Sequence, residues 1–167
     1  MQDATEEYVE YVAARIPALR RLAFVLSGDG HRADDLVQQT ITTLYLKWRQ
    51  AKTAGNLDAY VRTMLVRRYI DERRLAWARV RLFRDAPEPA PYEDAGAEDR
   101  HVVRAALRRL PRRQQAVLVL RFFYDLPVDE VAAMLGCTGG TVKSHTSRGL
   151  ATLRRQLGSH EFAARTS

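Results

Sequence analysis

Between Thr138 and Gln156 the sequence carries Lys143, Arg148, Arg154 and Arg155 and no aspartate or glutamate. On a helix capped by Thr138, the residues Lys143, Ser144, Ser147 and Arg148 share the outward side. Cations and hydroxyls are the groups that hold phosphates and reach base edges in a duplex groove. A second stretch carries different chemistry. Arg62, Arg67, Tyr69, Arg73 and Arg74 line one side of a helix expected from Leu57 to about Phe83. Cations interleaved with rings suit single-stranded nucleic acid, whose phosphates need charge and whose unstacked bases need flat apolar partners. A plain arginine-rich helix face accounts for that composition equally well. A third group, Asp34, Asp35, Gln38 and Gln39, lies opposite an apolar stripe, and spacing alone favours an ordinary solvated surface there.

The elements that must position these residues are helical. Val9, Val12, Ile16, Leu19, Ala23 and Leu26 recur at steps of three and four, one stripe of a first helix with Pro17 inside it as a kink. Asp3 and Glu6 serve its start and Ser27-Gly28-Asp29-Gly30 its end. A second helix is expected from about Arg32 to Lys52, with Val37, Ile41, Leu44 and Trp48 inward. Arg68 falls on the apolar stripe of the third helix, where only outward snorkelling of its stem accounts for it. Further along, His101 to Leu110 reads as a helix, Pro111 fits the first position of the next, and QQAVLVLRFFY reads as a buried helix rather than a strand.

The segment PVDEVAAMLGCTGGTVKSHTSRGLATL, Pro127 to Leu153, has the spacing of a helix-turn-helix. Ala132 is small where the second helix crosses, Gly136 permits a left-handed turn residue, and Val142 packs the second helix back on the first. A helical hairpin uses the same devices, but the acid-free recognition face favours DNA. Gly149 inside that helix costs ~1 kcal/mol against alanine and predicts fraying or a bend near its middle.

Charge divides the chain. Of 167 residues, 27 are lysine or arginine and 20 are acidic, a net charge of +7 that points to a polyanionic partner. Residues 57–84 and 101–158 are basic. Between them DAPEPAPYEDAGAEDR, Asp85 to Arg100, is acidic, and Pro87, Pro89 and Pro91 block helix there. The expected organisation is an all-α chain of two small helical domains, 1–84 and 101–158, a flexible linker 85–100 and a tail 159–167. Cys137 is the single cysteine and the four histidines are scattered, so neither a disulfide framework nor a metal site is expected. No apolar run approaches the ~20 residues of a membrane span, and the acidic start is unlike a signal peptide. These features predict a cytoplasmic protein without membrane insertion.

Three stretches in order resemble the extracytoplasmic function (ECF) sigma factors of bacterial RNA polymerase. They are ADDLVQQTITTLYLKW (Ala33–Trp48), YVRTMLVRRYID (Tyr60–Asp71) and LPRRQQAVLVLRFFYDLPVDEVAAMLGCTGGTVKSHTSRGLATLR, and the resemblance spans nearly the whole chain. It implies a non-enzymatic, cofactor-free factor that binds core polymerase through the β′ coiled coil and the β flap, reads promoter DNA and helps melt it. It assigns polymerase binding to Asp35, Leu36, Gln38, Gln39 and Thr40, replacing the solvated-surface reading of that face. For the single-stranded downstream element it points to Asn56, Tyr60, Arg62, Thr63 and Arg67, with a flipped base captured by the loop before the third helix. For the double-stranded upstream element it points to Arg121, Gly140 and Thr141 at phosphates, and to Lys143, Ser144, His145, Ser147 and Arg148. An anti-sigma factor covering these surfaces is a further candidate partner, and the linker acids Glu88, Glu93, Asp94, Glu98 and Asp99 are candidates to mimic nucleic acid in the transcript channel.

The chain departs from the family pattern at Arg67, where asparagine is frequent, at Arg68, where an aliphatic is common, and at His145 and Thr146. The promoter sequence therefore does not transfer. Two rival functions come from other classes. A stand-alone helix-turn-helix regulator would need a sensing pocket or dimer interface in place of the arginine-rich third helix. A metal nuclease on His31, Asp34 and Asp35 would need a second ligand cluster.

Overall fold

The computed structural model describes residues 2–72 and 97–165, and among the described residues every regular element is a helix. The chain divides into two compact units, Met1–Pro89 and Ala90–Ser167. Most of the acidic proline-rich stretch, with Glu88, Glu93 and Asp94, lies outside the described residues, as do Arg73 and Arg74.

The first unit contains α1 (Gln2–Ser27), α2 (Gly30–Leu46), α3 (Trp48–Lys52) and α4 (Leu57–Asp71). Leu19, Leu22, Ala23 and Leu26 of α1, Leu36, Val37 and Leu44 of α2 and Val61, Leu65 and Val66 of α4 are buried where these three helices pack on one another. Full burial of each such leucine or valine stabilises by about 1.5–3 kcal/mol. α1 runs on through Pro17, and Asp29 caps α2 by accepting the His31 N–H at 2.9 Å.

Several expectations change here. Val9 is 56% exposed, because Tyr8 and Tyr11, on neighbouring faces of the same turns, pack against Trp48 instead. The second helix is broken at Lys47, whose N–H is shared between the Thr43 and Leu44 carbonyls at 3.1 Å each. That tightened turn ends α2 and lets Trp48 enter the aromatic cluster. Tyr69 is buried, 4% exposed. It lies four residues beyond Leu65 and eight beyond Val61, so helical angle places it on the core stripe rather than among the arginines. The third helix begins at Leu57 as its pattern predicts, and its expected course beyond Glu72 lies outside the described residues.

The second unit contains α5 (Ala97–Arg108), α6 (Arg112–Leu118), a π-helical turn (Val119–Phe123), α7 (Val128–Leu135) and α8 (Gly139–Arg165). The buried run reads as helix rather than strand, with Ala116, Val117, Leu118, Val119 and Leu120 all in the core. Pro111 occupies the cap position of α6 with φ −53° and ψ 141°, one residue earlier than expected. The π turn has no counterpart in the sequence pattern. Leu107, Leu110 and Leu118 form an apolar cluster against which Leu150 and Leu153 pack.

Gly149 overturns its expectation. A Cβ there would stand 2.9 Å from Leu118 Cδ1 and 3.2 Å from Leu118 Cγ, so α8 approaches α6 closely at this point. α8 remains helical through Gly149, and the missing side chain is a packing device.

Candidate polymerase and nucleic-acid interfaces

In α2 the side chains alternate between two duties. Leu36 is fully buried, and Thr40 is fully buried with its hydroxyl donating to the Leu36 carbonyl at 2.7 Å. Neither presents a side chain to a partner, because both lie on the stripe with Ala33, Val37 and Leu44 that packs into the core. Both side chains seat α2 on the core. Asp35 and Gln38 are exposed and Gln39 half-buried, so the outward polar side narrows to these three. Asp34 is paired with Arg20 of α1 at 2.8 Å. Among the described residues no group of three or more histidine, cysteine or carboxylate side chains could hold a metal ion.

The edge of α4 begins with a cap. Asn56 is exposed, with φ −140° and ψ 102°, and its Oδ1 accepts the Ala59 N–H at 3.0 Å. That bond fixes the amide with its NH2 pointing away from the helix, a donor available to a base acceptor. Two residues on, Asp58 accepts the Tyr11 hydroxyl at 2.8 Å and pairs with Arg15 at 2.7 Å. Burial and the bond to Asp58 raise the Tyr11 pKa well above its usual value, so it stays a donor. The start of α4 is therefore anchored on α1. Past this anchor Tyr60, Arg62 and Thr63 are half-buried and Arg67 is exposed. The Thr63 hydroxyl donates to the Ala59 carbonyl at 2.8 Å. Tyr69 is not part of this surface.

Arg68, unexplained by its sequence position, spans the gap between helices. Its Nη2 donates to Thr43 Oγ1 at 2.7 Å and its Nη1 to Gln39 Oε1 at 3.3 Å, both on α2.

The second unit carries the helix-turn-helix. Gly136 closes α7 at φ 63°, ψ 40°, the left-handed conformation that glycine adopts without a Cβ penalty. Its N–H and that of Cys137 bond the Ala133 and Ala132 carbonyls. Thr138 then caps α8 by accepting the Thr141 N–H at 3.2 Å, and Val142 is fully buried. Gly140 is exposed and Thr141 half-buried at this N-terminus, where backbone N–H groups and the helix dipole favour an anion. Lys143, Ser147 and Arg148 are exposed, while Ser144 and His145 are half-buried.

His145 leans toward α6 rather than standing on the outward side. Its Nδ1 is buried without a hydrogen-bond partner among the described residues. Burial first, then the charges of Arg113 and Arg148, lower its pKa from 6.5. Arg121 is turned inward too: its Nη1 donates to the Leu126 carbonyl at 2.7 Å, tying the π turn to the loop before α7. Residue spacing did not single out the exposed aromatics Phe122 and Phe123, 57% and 60% exposed, or Tyr45 and Leu46 at the end of α2, 53% and 80% exposed. The FF pair was readable as a signal only once the π turn placed both rings outward.

Two family models match the chain in succession, Sigma-70 region 2 over residues 11–79 and Sigma-70, region 4 over residues 100–153. The RNA polymerase sigma-E factor of Streptomyces coelicolor is 34% identical over 95% of this chain and 90% of its own length. Its counterpart in Streptomyces avermitilis is 36% identical, covering 95% and 89%. The ECF RNA polymerase sigma factor EcfG of Rhodopseudomonas palustris is 31% identical, covering 92% and 86%. Among solved structures, the sigma factor RpoE of Bartonella quintana, in complex with the anti-sigma factor NepR, superposes with a TM-score of 0.68 at 27% identity, covering 95% of this chain and 98% of that one. A two-sided α2, a capped and anchored α4, and a helix-turn-helix thus occur in the order of the two matched regions, and the chain belongs to the ECF group of the sigma-70 family, an alternative sigma factor that directs promoter-specific initiation by core RNA polymerase and is not itself an enzyme.

Proposed function

We propose that the factor divides its contacts by unit, with domains at 1–84 and 101–158, the linker 85–100 between them, entering α5 at Ala97, and the tail 159–167 continuing α8 as far as Arg165. Asp35, Gln38 and Gln39 on the outward side of α2 meet the β′ coiled coil, with Leu36 and Thr40 seating the helix from within. Asn56, Tyr60, Arg62, Thr63 and Arg67 meet the single-stranded downstream element, the Asn56 amide at a flipped base. Thr141 and Gly140 at the start of α8 hold phosphates of the upstream duplex, with Arg121 contributing its charge from the π turn it ties down. Lys143, Ser144, His145, Ser147 and Arg148 approach it from the recognition helix. Phe122 and Phe123 give the second unit an exposed aromatic contact for the β flap.

The observation that carries this reading is the two-sidedness of α2, a polar row opposite the buried Ala33, Leu36, Val37, Thr40 and Leu44. Because RpoE is held by an anti-sigma factor, the same polar row and α4 edge are the surfaces an inhibitor of this chain would cover. Action with core polymerase places the protein in the cytoplasm. No helix among the described residues is long and apolar enough to cross a membrane.

The test is assembly. Replacing Asp35 and Gln38 together with alanine should abolish capture of core polymerase while circular dichroism stays unchanged. Normal capture would move the docking site elsewhere.

A further inference from the structure

Arg68 sits between the two surfaces of the first unit, and both arms of its guanidinium end on the same residue. Nη1 donates directly to Gln39 Oε1 at 3.3 Å. Nη2 donates at 2.7 Å to Thr43 Oγ1, and the Thr43 hydroxyl passes its own hydrogen to the Gln39 carbonyl at 3.0 Å. A planar fork with fixed donors on two nitrogens can make this closed circuit, whereas an ammonium group, its three donors on one nitrogen, does not match the two acceptors in that geometry. The circuit joins the polymerase-facing row of α2 to α4 one residue past Arg67. A second cross-link lies at the end of α4, where Glu72 is 3.8 Å from Arg32 of α2. The start of α4 is held by Asp58 on Tyr11 and Arg15.

We propose that Arg68 is a positioning residue that couples polymerase docking to promoter reading. A helix that reads unpaired bases must hold its side chains at fixed distances from a strand whose path the polymerase sets. The apolar core beneath holds the two helices together but is non-directional. Directional bonds from Arg68 to Gln39 and Thr43 fix the register of α4 on the helix that meets polymerase. This inference rests on the assignment of Gln39 to the docking face.

The experiment uses holoenzyme reconstituted from the full chain and core polymerase, on a promoter selected by the unaltered holoenzyme from a randomised run-off pool. Thr43→Val keeps shape and removes the acceptor, Arg68→Leu removes the fork, Arg68→Lys keeps the charge, and the double variant combines the first two. Assembly should stay within about twofold of the parent, and open-complex formation on the duplex promoter should fall by about tenfold for Arg68→Leu. Thr43→Val and Arg68→Lys should fall between the two, and the double variant should be no worse than Arg68→Leu, because both bonds belong to one circuit. On the same promoter already unpaired at the downstream element, every variant should recover to within about twofold, since a strand already unpaired can adjust to a displaced α4 whereas capturing bases out of the duplex needs α4 in register.

A general structural role predicts otherwise. Equal losses on duplex and unpaired templates, a parallel loss of assembly, or unaltered opening would each overturn the coupling. If Arg68→Leu fails to fold, Thr43→Val decides alone by the ratio between the two templates. Failure of the docking assignment itself is read separately, from the capture of the Asp35 and Gln38 variants.

Discussion

The two units solve the same problem, holding short helices in register, by different means. In the first, the helices are joined by polar cross-links over an apolar core. These include Tyr8 to the Ile41 carbonyl at 2.6 Å, Tyr11 and Arg15 to Asp58, Arg20 to Asp34, Lys52 to Glu7 and Arg68 to Gln39 and Thr43. In the second, α8 is brought down on α6 until Gly149 touches Leu118, with Leu107, Leu110, Leu150 and Leu153 around them. Surface ion pairs of this kind contribute little stability, about 0–1 kcal/mol each. Their directionality sets geometry. Close apolar packing carries stability, and a recognition helix entering a groove needs a rigid base.

The largest stability effect that bears on this contrast lies at the α6–α8 contact of the second unit. Leu118→Ala should cost about 2–5 kcal/mol in thermal or denaturant unfolding. Gly149→Ala should cost about 1–3 kcal/mol through overpacking, against its helix-propensity gain. The double variant should cost less than the two together, because the new Cβ enters the space Leu118 leaves. Additive costs would show that the glycine is not there for Leu118.

The smaller effect belongs to the first unit. Asn56→Ala removes the cap of α4 and should cost about 1 kcal/mol of stability. Asn56→Asp retains the acceptor while losing the NH2 donor, so it should keep the stability and still weaken binding of a single-stranded downstream oligonucleotide. Equal binding by parent and Asn56→Asp would leave Asn56 a cap only.

How much of this was legible in advance depends on whether one helix or two decide a residue's place. Leu19 and Leu44 follow single-helix periodicity, and the turn from Ala132 through Gly136 to Val142 is a local steric pattern. Both were readable. Arg68 was not, because its partners Gln39 and Thr43 lie on another helix and no periodicity within α4 records them. Gly149 was read as a weakness for the same reason: propensity is a property of one helix, and Leu118 belongs to another. Tyr69 was legible by angle, but grouping it with arginines by chemistry put it on the wrong side. The outward row of α2 was visible as a pattern, and only the family resemblance gave it a use.

The smallest effect separates burial from charge at His145. Its folded pKa lies below the unfolded value of 6.5 because burial, then Arg113 and Arg148, oppose its protonation. The unfolded chain then binds more protons in the interval between the two values, so stability falls as pH drops below about 6.5 and is regained above it. His145→Gln should flatten that dependence, and Arg113→Gln should reduce it only partly because burial is the larger cause. An unchanged pH profile in His145→Gln would place the sensitivity in other groups.

The division of labour between the units is tested most directly by sequencing transcripts that reconstituted holoenzyme makes from a promoter library randomised at both elements. Lys143 is exposed near the start of α8 and Arg148 is exposed five residues on, about 140° around the helix, so they should not share a base edge. Lys143→Ala should relax one upstream position, costing about 1–3 kcal/mol there, and Arg148→Ala should weaken all sequences evenly with a lower salt slope. Neither should alter the downstream preference, which Tyr60→Ala and Arg67→Ala should change while leaving the upstream one intact. Upstream and downstream preferences that shift together in every variant, or in none, would contradict the assignment of duplex reading to the second unit and single-strand reading to the first.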